Sequence, residues 1–348
     1  MKVLHLLQSN SFSGAENVVC QIISMMKDEG IEFAYASPDG QIREALLERN
    51  ITFFTMQNNC FREFRRVIKE FSPDIIHAHD MGASFFASMV CGKIPMISHI
   101  HNNNFDSRGV SPKAVAYMLA AKKANHIFYV SDSAFKGYCF HELFRKKSSV
   151  LYNIIDIDAL YKKAKDDNSS YSYDFVYVGR LSYPKNPQRL MNVCSKVCEI
   201  LPEVKIAVVG TGELENETKE LCRKLNISDN IEFLGYRNNP FKILKDSKAM
   251  IMTSRWEGTP MCALEALSLG VPIVSTPTDG LCTIVQNKKN GFLSEDDDVL
   301  AQKLVQIITD SNLHKNMHEH AMATAKRLMD IDSYKKKILE IYYQNEMR

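Results

Sequence analysis

The chain has 348 residues, 45% of them hydrophobic and 24% charged, which suits two globular domains and excludes disorder, collagen-like repeats and a coiled-coil rod. The formal net charge of +2 divides as 20 basic against 16 acidic side chains in residues 1–165 and 23 against 25 beyond, too even a balance for a nucleic-acid partner. The longest apolar run, 83–91, halts at Gly92-Lys93, far short of the roughly eighteen residues that a membrane span requires.

Residues 3–7 form an apolar run too short for a signal peptide and read as a first buried strand, followed by an amphipathic helix over 15–27. The same alternation recurs at 33–36 and 42–47, at 51–54 and 61–71, and then with strands at 75–78, 97–100 and 127–130. A polar stretch at 162–170 reads as an interdomain linker. Beyond it the rhythm restarts, with strands at 175–178, 205–209, 231–234, 249–252 and 272–275, and the last fifty residues read as helical. Strand alternating with helix is the mark of a parallel, doubly wound sheet. The expectation is therefore α/β, two Rossmann-like domains facing across a cleft: 1–165, 166–330, and a terminal helix at 331–348 packing back on the first domain. Ligands of such sheets bind at the carboxyl ends of the strands.

Nine cysteines, an odd number without a Cys-x-x-Cys pair, and the helical spacing of Cys194 and Cys198 suggest reduced core thiols and a cytoplasmic protein.

Chemistry-bearing residues gather in the second half. Gly179-Arg180-Leu181-Ser182-Tyr183-Pro184-Lys185-Asn186-Pro187 follows the strand 175–178 directly, with Asn186 and Pro187 suited to the N-cap and first turn of the next helix. Arg180 and Lys185 thus sit on a loop at a strand's carboxyl end, where two cations can neutralise a diphosphate; solvated loop charges are the plainer alternative. Farther on, Glu257-Gly258-Thr259-Pro260 precedes a helix closed by Gly270 and Pro272, with Thr259 as N-cap. The helix's positive end and the amides of Gly258 and Thr259 suit a phosphate, and Glu257 and Glu265 can face one ligand at different depths. A dipole-favouring Glu257 and a solvated Glu265 would explain the same spacing.

These two segments together resemble the GT-B glycosyltransferases often called family 4, of the retaining kind. Ser13-Gly14-Ala15-Glu16, Tyr152-Asn153-Ile154-Ile155-Asp156, Val209-Gly210-Thr211-Gly212 and Phe233-Leu234-Gly235 extend the resemblance over nearly the whole chain. It implies an enzyme that moves a sugar from a nucleotide sugar, a uridine diphosphate sugar first among them, to a hydroxyl of a glycan or lipid-linked acceptor in polysaccharide or glycolipid synthesis. It also implies retention of configuration, no obligatory metal and no cofactor. Arg180 and Lys185 would hold the donor diphosphate, Glu265 the ribose, and Glu257 the sugar together with the amides of Gly258 and Thr259. From the first domain, Gly14 would approach the donor phosphate and His101 a donor hydroxyl or phosphate, so Glu257, His101, Lys185 and Arg180 are the catalytic candidates. A GT-B nucleotide-sugar epimerase and a non-catalytic GT-B partner subunit are the competing readings.

The chain departs from the family pattern in two places. Ser13 replaces the first glycine of the amino-terminal loop and makes a capping box with Glu16, which marks Glu16 as structural. Asp279-Gly280-Leu281-Cys282-Thr283 lacks the acid expected near Thr283. Of the other motifs, His77-x-His79 and His99-x-His101 put rings on one face of neighbouring strands, a spacing that zinc could use; His79 is a secondary, structural candidate. Asp156-Ile157-Asp158 reads as a helix cap rather than a metal site, and Gly210-Thr211-Gly212 lacks the third glycine of a dinucleotide fingerprint. Finally, the basic stretch at 61–69 and the four cations without an acid between Arg108 and Lys123 suggest a first-domain face that rests on the inner, anionic surface of the cell membrane and receives a lipid-linked acceptor.

Overall fold

The computed structural model describes residues 1–101 and 107–346 and divides into two compact units, Met1–Ile154 with Asp330–Arg348, and Ile155–Met329. The first unit runs β1 (Lys2–Leu6), α1 (Gly14–Met25), β2 (Glu32–Pro38), α2 (Ile42–Glu48), β3 (Thr52–Met56), α3 (Phe61–Phe71), β4 (Ile75–His79), α4 (Asp80–Val90), β5 (Met96–Ile100), α5 (Pro112–Lys123), β6 (His126–Tyr129), α6 (Asp132–Lys136) and β7 (Ser148–Val150). Its strands pair in parallel in the order β3-β2-β1-β4-β5-β6-β7. Helices cover both faces of such a sheet, so its strands read as continuous apolar runs; every residue of β4 and β5 is buried. The three-residue edge strand β7, only half buried, carries too little apolar pattern to be read from sequence.

The second unit runs α7 (Ile157–Asp166), β8 (Phe175–Val178), α8 (Pro187–Ile200), β9 (Ile206–Val209), α9 (Glu215–Lys224), β10 (Ile231–Gly235), α10 (Phe241–Asp246), β11 (Ala249–Met252), α11 (Met261–Ser268), β12 (Ile273–Ser275), α12 (Asp279–Ile284), β13 (Gly291–Leu293), α13 (Asp297–Thr309) and α14 (Ser311–Leu328). Its parallel sheet has the order β10-β9-β8-β11-β12-β13. Strand order reverses between β1 and β4 in one sheet and between β8 and β11 in the other, and those are the crevices in which doubly wound sheets bind ligands.

The boundary expected at 165/166 lies instead at 154/155. The polar stretch read as a linker begins as the exposed face of α7, which packs on α10: Asn239 Nδ2 donates to the Lys163 carbonyl at 2.7 Å and Lys245 lies 5.2 Å over the Tyr161 ring. Asp156 caps α7, its carboxylate accepting the Ala159 N–H at 2.9 Å. The last helix, α15 (Ile331–Glu346), belongs to the first unit, anchored by Tyr342 against His77 at 2.7 Å and by Lys335 on Glu29 at 2.6 Å. Residues 347–348 of the expected terminal segment lie outside the described residues. All nine cysteines are free thiols, and among the described residues no helix is long and apolar enough to cross a membrane.

Candidate functional site

Both loops singled out by sequence leave the carboxyl ends of the strands that flank the second unit's switch point. The loop after β8 carries exposed Arg180 and half-buried Lys185. It is shaped by backbone laid on backbone: Leu181 N–H donates to the Thr211 carbonyl at 2.9 Å, and Leu214 N–H to the Leu181 carbonyl at 2.9 Å. A Cβ on Gly210, whose φ is +133°, would stand 2.0 Å from the Gly179 carbonyl oxygen, and one on Gly212 would stand 2.2 Å from that of Leu181. The glycine pair after β9 is therefore explained by close approach and not by a dinucleotide. Asn186 occupies the N-cap of α8 in the left-handed region, but its side chain makes no cap; it accepts from Arg255 Nη2 at 3.1 Å instead.

The loop after β11 is pinned to the first. Arg255 N–H donates to the Pro184 carbonyl at 2.8 Å, Thr253 Oγ1 to the Asn186 carbonyl at 3.1 Å, and the Arg255 guanidinium lies 4.6 Å over the Tyr183 ring. These ties bring Lys185 Nζ within 2.5 Å of Glu257 Oε1, which also accepts from Ser254 Oγ at 2.6 Å. Burial works against the Lys185 ammonium, but the Glu257 carboxylate and the nearby Cys262 outweigh it and hold its pKa above the ordinary value. A raised lysine pKa means that the pair's stabilisation is fully present below the unfolded value and is lost as pH rises through the folded one. The pair should thus persist across the neutral range and fail only under alkali, which thermal melting against pH would register.

Helix α11 starts one residue later than expected: Pro260 holds the N-cap position and buried Thr259 precedes it. Pro260 has a ψ of 121°, an extended conformation outside the helical region, so the first helical turn begins at Met261. Gly258, Thr259 and the first amides of α11 still form one amino-terminal cluster beside Glu257. Glu265, only 7% exposed, lies on the second turn. The Cys262 thiol, driven by burial to about 12, senses the charges of Lys185, Glu257 and Glu265 together. Buried Tyr177 senses Cys262, Glu257 and Arg180 and donates to the Arg180 carbonyl at 2.8 Å. Arg180, Lys185, Glu257, Gly258, Thr259 and Glu265 accordingly share one neighbourhood: two cations, two carboxylates and a helix amino end.

The altered segment after β12 serves this site sterically. A Cβ on Gly280 would fall 1.4 Å from the Gly258 carbonyl oxygen, so α12 rests directly on the Glu257-Gly258 turn. Gly280→Ala is expected to displace that turn, costing about 1–3 kcal/mol in stability and most of the activity, measurable by thermal melting and turnover of the same preparation.

The remaining candidates lie in the first unit. Exposed Gly14 opens α1, where the Glu16 carboxylate accepts the Ser13 N–H at 3.1 Å and the Ser13 hydroxyl at 2.6 Å, a structural role for Glu16. His101, at the end of β5, is buried among His5, His79 and His99, and the charge of Glu16 acts on it. Two triplets, His5/His77/His79 and His79/His99/His101, each place one ligand nitrogen per residue within 4.8 Å of the others, so the donors a metal uses are present. The shortest contacts, however, are ring to ring. Asn102–Asp106, which follow His101, lie outside the described residues.

Sequence reasoning missed Tyr177, Ser254 and Cys262. Tyr177 and Cys262 sense charges brought from another loop, whereas Ser254, three residues before Glu257, and Cys262, one turn before Glu265, also carried a local signal.

Residues 12–159 match glycosyltransferase family 4, and residues 161–324 match the glycosyl transferases of group 1. An uncharacterised glycosyltransferase of Methanocaldococcus jannaschii is 29% identical over 303 residues, 72% of this chain and 75% of that one. The UDP-Gal:alpha-D-GlcNAc-diphosphoundecaprenol alpha-1,3-galactosyltransferase of Escherichia coli is 26% identical over 349 residues, 90% of this chain and 89% of its own. In fold, the chain superposes on Anabaena HepE crystallised with UDP and glucose with a TM-score of 0.86 at 20% identity, covering 99% of each chain.

Proposed function

The chain belongs to the GT-B glycosyltransferases of the family 4 type, and from that premise we propose that it transfers a sugar from a UDP-sugar, with retention of configuration, to a hydroxyl of a glycan or lipid-linked acceptor. What carries the reading is the Lys185–Glu257 contact at 2.5 Å beside Arg180 and the amino end of α11. An ammonium has three donors, so Lys185 can keep Glu257 and still bind a phosphate oxygen. Arg180 adds a planar fork, and the amides of Gly258, Thr259 and α11 add fixed positive dipoles. As the bond from sugar to diphosphate breaks, negative charge builds on the leaving oxygens. Charges already in place stabilise it without reorganisation, which is why no metal or cofactor is assigned. Glu257, held by Lys185 and Ser254, faces the sugar; Glu265 takes the ribose hydroxyls. Gly14 and His101 carry the first unit's share, a backbone N–H for phosphate and an imidazole for a donor oxygen, and acceptor recognition belongs to the same unit. The relatives' names support this reading: one galactosyltransferase uses UDP-Gal and a diphosphoundecaprenol acceptor, and HepE was crystallised with UDP-glucose.

The test is a panel of UDP-sugars scored by thermal stabilisation and then by sugar transfer. A stabilising donor that is cleaved with retention supports the reading; a donor epimerised without acceptor, or no binding of any nucleotide sugar, rejects it.

The membrane element of the reading narrows to α5. On α3 the acids Glu63 and Glu70 sit among the cations and engage Arg66 at 3.0 and 2.8 Å, and Phe61 packs on Phe86. On α5 and the turn before it, exposed Val110, Val115 and Leu119 stand among Arg108, Lys113, Lys122 and Lys123 with no acid in the segment. Each such cation adds about 1 kcal/mol near an anionic leaflet. Lys113→Glu with Lys122→Glu is expected to reduce co-sedimentation with phosphatidylglycerol vesicles to the level on phosphatidylcholine alone. Equal sedimentation of wild type on both vesicles rejects membrane contact.

A further inference from the structure

Five imidazoles line one face of β1, β4 and β5 at their carboxyl ends: His5, His77, His79, His99 and His101, all buried. Parallel register sets His5 opposite His77 and His79 opposite His99, and the period of two keeps each pair on one strand facing the same way. The rings stack at centroid distances of 4.3 to 5.4 Å. Three of them form a chain: His5 Nδ1 meets His79 Nε2 at 2.9 Å, and His79 Nδ1 meets His101 Nε2 at 2.8 Å. At the far end the His101 backbone N–H is held by Asp80 Oδ1 at 3.0 Å, and His77 is held separately by Tyr342.

Burial keeps these rings uncharged, lowering His5 to about 3 and His101 to about 4 and the others well below their ordinary value. A neutral imidazole has one N–H and one lone pair. The chain therefore admits two hydrogen arrangements only, because any mixed arrangement sets two N–H groups or two lone pairs against each other at less than 3 Å. In one, His5 donates to His79, His79 donates to His101 Nε2, and His101 carries its hydrogen on Nδ1. In the other every bond reverses, and His101 Nδ1 becomes an acceptor. The first arrangement points its positive end toward His101, where the Asp80 carboxylate lies 3.0 Å from the backbone N–H and the Glu16 charge also acts, and so is favoured. His101 Nδ1 is itself buried and makes no hydrogen bond among the described residues, so that N–H has no acceptor of its own there.

We infer that His5 and His79 are positioning residues which, through this hydrogen-bonded chain, fix His101 as a neutral Nδ1–H donor toward an oxygen of the nucleotide-sugar substrate. The inference rests on the proposed role of His101 at the donor. It assigns the two other rings a function that the His-x-His spacing alone does not supply. Partners that fix the tautomer of a metal-bound histidine are worth about 10- to 100-fold when removed, and the same scale is expected for this chain.

The test combines long-range proton–nitrogen correlation NMR of the full chain, labelled at histidine nitrogens, with kinetics of UDP-glucose or UDP-galactose hydrolysis, whichever the wild type performs faster. The expected spectrum shows the His101 hydrogen on Nδ1 in the wild type. His79→Phe should shift it toward Nε2 and lower kcat by about 10-fold or more with KM little changed. His79→Asn, whose amide keeps a donor facing His101, should restore both. A wild-type His101 protonated on Nε2, a His79→Phe variant with unchanged ring nitrogens, or a divalent metal retained at one per chain with both His79 nitrogens shifted overturns the inference. His101→Ala separates it from the underlying reading: unchanged turnover there removes His101 from the donor site, whatever the tautomer.

Discussion

Lys185→Ala is expected to lower turnover by about 10²- to 10³-fold, the cost of losing one preorganised charge from a developing anion, while the variant still folds. Two losses combine. The diphosphate is deprived of an ammonium, and Glu257, held at 2.5 Å in the native pair, is left without its counter-charge beside a dianionic leaving group. Removing one partner of a fully buried pair costs about 3–5 kcal/mol, but the Lys185 side chain is 18% exposed, so water moderates that penalty. The loop keeps its own supports: Lys185 N–H to the Ser182 carbonyl at 3.0 Å, Thr253 to the Asn186 carbonyl, and Leu181 to Thr211. Steady-state kinetics beside circular-dichroism melting checks both halves. Wild-type turnover, or a chain that no longer melts cooperatively, contradicts the expectation.

Glu265→Ala is expected to act on binding instead. A carboxylate that accepts from both ribose hydroxyls makes two charge-assisted hydrogen bonds, each worth about 1.5–3 kcal/mol. The variant's Kd for UDP should rise by about 100-fold or more, since two bonds at the lower end of that range total about 3 kcal/mol, with kcat at saturating donor reduced far less. The ribose supplies a built-in control. Wild type should prefer UDP to 2′-deoxy-UDP, and the variant should lose the preference, a coupling that calorimetry on two ligands and two proteins isolates. If both proteins discriminate equally, Glu265 does not touch the ribose.

The sequence carried the second unit's chemistry well for a physical reason. Strands buried on both faces are unbroken apolar runs, and the segments that follow them, Gly179–Pro187 and Glu257–Pro260, hold their charges next to turn residues that place them at strand ends. What it did not carry depends on contacts between distant segments. The polarity of α7 is that of a helix with one exposed face, indistinguishable in composition from a linker until α10 is seen to cover the other. Thr283 stands where the family acid is expected, but the segment's part in the site falls to Gly280, and only the 1.4 Å approach to Gly258 reveals it. Tyr177 is an ordinary strand residue until the second loop brings Glu257 and Cys262 to it. The His-x-His pairs were visible, but His5, which completes the chain to His101, gave no signal because its partner is 74 residues away.

The most direct test is a crystal structure of the chain with UDP. The diphosphate oxygens are expected within about 2.7–3.1 Å of Lys185 Nζ, the Arg180 guanidinium and the amides at the start of α11, with the ribose hydroxyls on Glu265. A nucleotide seated away from the β8/β11 crevice, or a diphosphate held by other residues through a bridging metal, would contradict the account.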